Sequence, residues 1–389
     1  MLDEKKIAFL ILASLYILAV GLFTSISLMV GFHLLMIPAI LYCAKNYDWK
    51  KFPRSGWALL AFAVALILSV GVNQSIIARP MKNVFKVKYF LLGALSIIPL
   101  QFYFNQYLDS EKRKKVLRTL LLALLISAGI ATLSGLIGYL THFNPLRMVT
   151  VDYGRNAGLF GMLITYAHQI AWLSLFLVVI CFNYRDFEYL ISKKWLYCSM
   201  VLSVIGLFTT YTRGAWLAFL AGCLIINKKL TGLLLLFCTV TVILLSLHDA
   251  HFWEEHILRQ TSNSKRLGSA LAAAKAFQEK PLFGYGYLNF EPFSQSIKSH
   301  YQLRNPDFGG HAHNEFLEIL ATSGILGACF FLLWLGLWIK EILQRGGLTS
   351  RMLIPFVAAF LVSGLTHVSL IDGENTFFLM IVYALSGVL

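Results

Sequence analysis

"GGHAHNEFLEILATSGILG", residues 309–327, opens with two histidines and runs straight into an apolar helical pattern. His311, His313, Asn314, Glu315 and Glu318 thus stand at the mouth of a stretch apolar enough to cross a membrane. A metal site, a polar helix end and a catalytic base at the membrane surface would each explain that mouth. The rest of the 389-residue chain bears on the choice.

Hydrophobic residues make up 58% of the chain and charged residues 13%. A soluble core cannot use that much apolar surface, and runs of about 18 or more apolar residues read as transmembrane helices. The expected fold class is therefore an all-α polytopic membrane protein rather than a string of soluble domains. Residues 1–6 (MLDEKK) lead into an apolar run with no evident small-residue cleavage site, so this run reads as a first span. The six cysteines lie in or beside apolar segments and suggest buried hydrophobes, neither a disulfide framework nor a thiolate metal cluster.

About twelve spans are expected, near 7–22, 25–43, 57–73, 88–104, 118–140, 157–182, 195–211, 213–227, 230–247, 313–339, 352–370 and 375–389. With the N-terminus inside, the inner segments hold 19 of the 33 basic residues and the short outer loops hold 7. That bias obeys the positive-inside rule, so the net charge of +14 is topogenic and not a nucleic-acid footprint. The chain divides into spans 1–9 over 1–248, one long polar outer loop over 249–311, and spans 10–12 over 312–389. The loop carries seven basic and six acidic residues, which argues against a polybasic lipid-binding arm. "SKRLGSALAAAKAFQEKP" (264–281) has helical spacing with an Ala-rich face, and "PLFGYG" stops it. Ten aromatic residues of the loop, Phe252, Trp253, Phe277, Phe283, Tyr285, Tyr287, Phe290, Phe293, Tyr301 and Phe308, suit either interfacial packing or a sugar-stacking floor.

Three outward helix starts carry polar side chains. Arg155 precedes span 6 in "DYGRNAGLFG", Arg213 opens span 8 in "TYTRGAWLAF", and His313 with Asn314 opens span 10. Helix N-termini bear partial positive charge and unsatisfied N–H groups, so an arginine there is misplaced unless an anion occupies the site. Arginine beside a helix N-terminus is a phosphate receptor, because its two-pronged donor adds to the free amides. From Arg213 to Lys228 is about 22 Å of helix against a hydrocarbon core of roughly 30 Å, which sets Arg213 below the surface unless Lys228 snorkels. An arginine at that depth is a functional-site candidate.

His-x-His beside Glu315 suggests zinc, but residues two apart do not share a helix face, and no third ligand has a suitable spacing. His313 suits a general base, with Glu315 or another carboxylate orienting its ring. His311, after Gly309 and Gly310, is expected to be loosely held and dispensable. His168 and Gln169 in mid-span 6 read as an internally satisfied polar pair, with a proton relay as the less favoured alternative.

These segments resemble the bacterial O-antigen ligase and polymerase superfamily, integral membrane glycosyltransferases of the C type. "HNEFLEILATSGILG" is similar to the ligases' His-Asn…Gly…Gly signature, here His313, Asn314, Gly324 and Gly327. "TRGAWLAFLAG" (212–222), "GRNAGLFG" and "SKRLGSALAAAKAFQEKPLFGYG" resemble the family's arginine segments, loop helix and Gly-rich turn, over about residues 150–330. The resemblance implies transfer of a glycan from undecaprenyl pyrophosphate to the lipid A core at the periplasmic face of the inner membrane, with inversion and without a metal or other cofactor. Arg155 and Arg213 would hold the pyrophosphate and stabilise the leaving group, and His313 would deprotonate the acceptor hydroxyl. Asn314 would orient substrate or His313, while Arg266, Arg79 and Lys82 complete the candidate substrate-binding set. Gly324 and Gly327 would give span 10 a small packing face.

The chain ends inside its last span without a C-terminal repeat domain, which weighs against a protein acceptor. A polymerase of the same fold is the alternative, and the site does not discriminate between the two. A lipid-linked sugar transporter is disfavoured, because the charges cluster on one face instead of at the midplane of inverted repeats. The expected partners are the carrier-linked glycan, the lipid A core and membrane lipids, not nucleic acid.

Overall fold

A computed structural model describes residues 3–151, 154–248 and 258–388. Phe252 and Trp253, part of the aromatic set above, lie outside the described residues. The chain is an all-α polytopic membrane protein, and its described strands amount to the short hairpin Phe143–Asn144 with Val149–Thr150. Each expected span coincides with a helix. In chain order these are α1 (Glu4–Gly21), α2 (Ile26–Ala44), α3 (Arg54–Val72), α4 (Pro80–Tyr107), α5 (Ser110–Thr141), α6 (Leu163–Phe182), α7 (Lys193–Phe208), α8 (Arg213–Ile226) and α9 (Lys228–His248). The polar loop then contributes α10 (Gln260–Glu279) and α11 (Glu291–His300), before α12 (Glu315–Arg345), α13 (Gly347–Gly364) and α14 (Gly373–Ser386). Among the described residues seven of these helices are long and apolar enough to cross a membrane, and α8 is a shorter apolar helix.

The departure from expectation that bears on the site is at span 6. A helix from 157 is expected, yet α6 starts at Leu163. Residues 154–162 form a loop because Gly158 takes φ +56°, a left-handed conformation open to glycine. The Asn156 side chain accepts from the Gly158 amide at 2.9 Å, and the Asn156 amide donates to the Thr209 carbonyl at 2.9 Å, which pins the loop against the end of α7. Arg155 therefore precedes a loop, not a helical turn.

α12 is broken at Gly324, whose φ is +62° and ψ −162°. The turn 281–286 fills the break. Tyr285 and Gly286 donate backbone N–H groups to the carbonyls of Ala321 and Thr322 at 2.8 and 2.9 Å, and Ile325 donates to that of Pro281 at 2.8 Å. A backbone interrupted at membrane depth survives only where such partners satisfy it. The "PLFGYG" turn and the Gly324 signature are two halves of one structure. Gly324 thus serves backbone exchange more than the small packing face expected of it.

The loop helix is longer than expected, and its Gly268, Ser269, Ala272, Ala273 and Ala276 stripe is buried. Tyr285, Tyr287 and Phe290 are also buried, so these rings pack the loop onto the bundle instead of paving a sugar floor. Lys298 of α11 is buried, and its ammonium donates to Ser269 Oγ at 2.9 Å and to the Phe308 carbonyl at 2.7 Å. These bonds hold α10, α11 and the segment before α12 as one cap.

Candidate active site

Under this cap lies a cavity of about 740 Å³. Arg155, Arg213, Arg259, Lys265 and Arg266 line it, together with His168, His313, Phe308 and Thr366. A second cavity of about 390 Å³ shares Arg213, Arg266, His313 and Thr366 and adds Leu217, Leu267, Asn314 and Leu365. Three distant stretches of sequence thus converge, with α10 supplying further cations. Five cationic groups around one cavity repel each other and suit a multiply charged anion.

Each arginine is held differently. Arg213 opens α8, where its Nη2 donates to Asn263 Oδ1 at 2.7 Å across to α10. Gly214 behind it faces Thr366, where any larger residue would push α8 off the 365–367 turn. Arg155 donates through Nε to the Thr210 carbonyl at 2.7 Å, and through Nη2 to the Tyr211 carbonyl and Thr212 Oγ1 at 2.8 and 3.1 Å. Most of its fork therefore braces the turn that launches Arg213. Burial, then the charges of Arg259, Arg266 and Arg213, pull the Arg155 guanidinium down to about 10, still charged at neutral pH. Arg266 is lowered by burial and by Arg213 and Arg259, and its Nη1 donates to the Thr366 carbonyl at 3.3 Å.

His313 stands just before α12 with φ +53°, a strained backbone for a residue with a Cβ. Burial, the neighbouring His311, Arg266 and Lys298 hold its imidazole down to about 3, so the ring is neutral at pH 7 and can accept a proton. Its Nδ1 is buried and meets no hydrogen-bond partner among the described residues. Neither nearby carboxylate orients it, contrary to expectation. Glu315 accepts from the amides of Ser369 and Leu370 at 2.6 and 3.2 Å, and Glu318 accepts from the Ala312 amide at 2.7 Å. Both answer buried backbone N–H groups, one just before α12 and two in the α13–α14 connection, which would otherwise be left unpaired. Asn314 caps α12, its Oδ1 accepting from the Leu317 amide at 3.0 Å, so most of its capacity goes to the helix end.

His311 is not loosely held. The Gly310 amide donates to Ser294 Oγ at 2.9 Å, the Ala312 amide to Glu318, and the His311 and His313 ring centroids lie 4.2 Å apart. His168 does not pair with Gln169 either. Its Nδ1 meets Ser363 Oγ at 2.9 Å and its ring stacks on His367 at 4.7 Å, while the buried Gln169 amide has no partner among the described residues. Arg79 and Lys82 are exposed at the start of α4 and line neither cavity. Sequence reasoning passed over Arg259, Lys265, Thr366 and His367 as site residues. The adjacent pair Lys265–Arg266 on the loop helix was a signal for one of them; His367 had none, because it sits far from any motif.

Fold and cavity together define a multi-pass membrane protein with a cavity lined by five cationic side chains. Residues 198–332 match the family model described as O-antigen ligase, which supports membership of the O-antigen ligase superfamily. The matched stretch includes Arg213, Arg266, His313 and Gly324, and leaves Arg155 outside. It supports an enzyme of the glycosyltransferase or ligase kind, acting in O-antigen biosynthesis. No curated protein matches the chain.

Proposed function

We propose that this chain is an O-antigen ligase that transfers a glycan from undecaprenyl pyrophosphate to the lipid A core, at the periplasmic face of the bacterial inner membrane. The observation that carries this reading is a neutral His313 at the rim of a cavity lined by five cationic side chains. The pyrophosphate sits among Arg213, Arg259, Lys265 and Arg266, which neutralise it and stabilise the charge that grows as the anomeric C–O bond breaks. Arg155 holds the Thr210–Thr212 turn in place and adds its charge. His313 takes the proton of the acceptor hydroxyl, whose oxygen attacks the anomeric carbon opposite the departing phosphate, giving inversion. No step requires a metal, since the arginines meet the charge.

The second cavity, with Leu217, Leu267 and Leu365 on its wall, gives the second substrate a route to the same histidine. The purified chain in lipid nanodiscs, supplied with both lipid substrates, should transfer glycan in excess chelator. His313→Ala should bind the donor normally and lose about 10²–10⁴-fold in rate. Deletion of the gene should leave long chains on the carrier and bare core on gels. Single repeat units attached to the core would instead assign the chain as the polymerase. Full activity of His313→Ala would remove the base from this scheme.

A further inference from the structure

Four histidines from three separate segments form a chain that starts at His313 and ends on His168, both in the lining of the arginine-rich cavity. His313 contacts His311 at 4.2 Å between ring centroids, His311 meets His367 edge-on at 6.5 Å, and His367 stacks on His168 at 4.7 Å with 8° between the planes. Beyond His367, its Nε2 lies 4.0 Å from Asp372 Oδ2. Asp372 Oδ2 accepts from Thr165 Oγ1 at 2.6 Å and from Asn375 Nδ2 at 2.9 Å, an arrangement that keeps the carboxyl aimed at the ring. Along this line His311 Nε2, His313 Nδ1 and His367 Nδ1 are all buried without a hydrogen-bond partner among the described residues. Buried polar atoms are rarely left so, and three in a row mark positions where protons or bridging waters belong.

We infer that His311, His367 and Asp372 form a proton path that takes the acceptor-hydroxyl proton away from His313. This rests on the transferase reading above. A protonated His313 would sit beside Arg266 and within the cationic cavity, so the charge is better carried to the one carboxylate on the line. As the acceptor O–H bond breaks, its electron pair forms the new C–O bond, and the old C–O pair leaves with the pyrophosphate. The proton moves from His313 to His311, on to His367, whose ring centroid lies 6.5 Å from that of His311, and then to Asp372, which releases it to water after the products leave. Burial and the neighbouring Glu374 push the Asp372 carboxyl up to about 8, so it takes up and returns protons near neutral pH.

The groups facing this path are Thr165 and His168 from α6, Arg266 from α10, Glu291 and Lys298 from α11, His313 from the preceding segment, and Glu374 and Asn375 from α14. Glu315 of α12 faces the 369–370 amides behind it. His311, His367 and Asp372 are positioning residues, because none needs to touch the sugar.

The test uses the full chain in nanodiscs with both lipid substrates. His367→Gln should lower kcat by about tenfold to a hundredfold with KM for the donor unchanged. Imidazole, small enough for the main cavity that His168 also lines, should restore turnover in a concentration-dependent way and leave the wild type unaffected. Asp372→Asn should likewise lower kcat and abolish a rise in kcat between about pH 7 and 9 that the wild type shows. A normal kcat in folded His367→Gln, or a loss that imidazole does not relieve, overturns the path. Should His367→Gln fail to fold, Asp372→Asn decides alone, and an unchanged pH profile there overturns it. Absence of any transfer by the wild type would instead strike the transferase reading itself.

Discussion

Arg155 donates its Nε–H to the Thr210 carbonyl at 2.7 Å, so the residue whose motif looked like a phosphate receptor is bonded to the turn just before Arg213. The two arginines are coupled. Thr212, the last residue of that turn, accepts from Arg155 at 3.1 Å and stands next to Arg213 at the first position of α8. Arg155→Lys keeps the charge but cannot reproduce three hydrogen bonds from a planar fork. Hydrogen bonds from charged donors contribute about 1.5–3 kcal/mol each, so thermal unfolding in detergent should shift clearly downward. Donor affinity should fall with it. Unchanged unfolding with weakened donor binding would return Arg155 to a purely anion-binding role.

Arg213→Lys should be nearly as harmful as Arg213→Ala. A lysine retains the point charge, yet it cannot bond Asn263 while offering a second prong to a phosphate oxygen. Steady-state assays across donor concentrations check this, and near-normal turnover in the lysine variant would reduce Arg213 to a charge.

Acid should destabilise the donor-free protein in a way that depends on His313. The folded-state pKa of about 3 lies below that of an unfolded histidine, so the unfolded chain binds the proton first as the pH falls through about 6.5. Stability present above that pH is progressively lost down to about 3. The unfolding temperature should therefore drop between pH 7 and 5, and His313→Asn should flatten the slope. Inorganic pyrophosphate should oppose the drop, because an anion in the cavity favours the imidazolium. Parallel slopes for wild type and variant would place His313 in a more solvated setting.

Gly324→Ala should abolish folded protein, whereas Gly327→Ala should be milder. At Gly324 the backbone is left-handed, and a Cβ would come within 2.6 Å of the Phe283 amide nitrogen, a backbone atom that cannot move aside. At Gly327 a Cβ would crowd only the side chain of Ser323 on the same helix. Membrane-extracted yield and size-exclusion profiles of the two variants make the comparison. Equal yields would show that the helix break tolerates a side chain.

The sequence by itself determined the class of protein, because apolar length and the distribution of lysine and arginine are one-dimensional quantities that the bilayer reads directly. It also singled out Arg213, Arg266 and His313, which the fold brings to the same two cavities. Tertiary structure alone decided how those residues are used. The start of α6 moved to Leu163 because Asn156 found partners at Gly158 and Thr209, and Thr209 is a long-range contact that no local pattern reveals. Glu315 turned from His313 to Ser369 and Leu370 because buried amides compete for a carboxylate more strongly than a neutral ring does. His367 and Asp372 came to lie beside the 311–313 segment through long-range packing. The connection from α13 to α14 folds back against α6 and the 311–313 segment, and packing across that distance follows from the shapes of many helices at once rather than from any stretch of sequence.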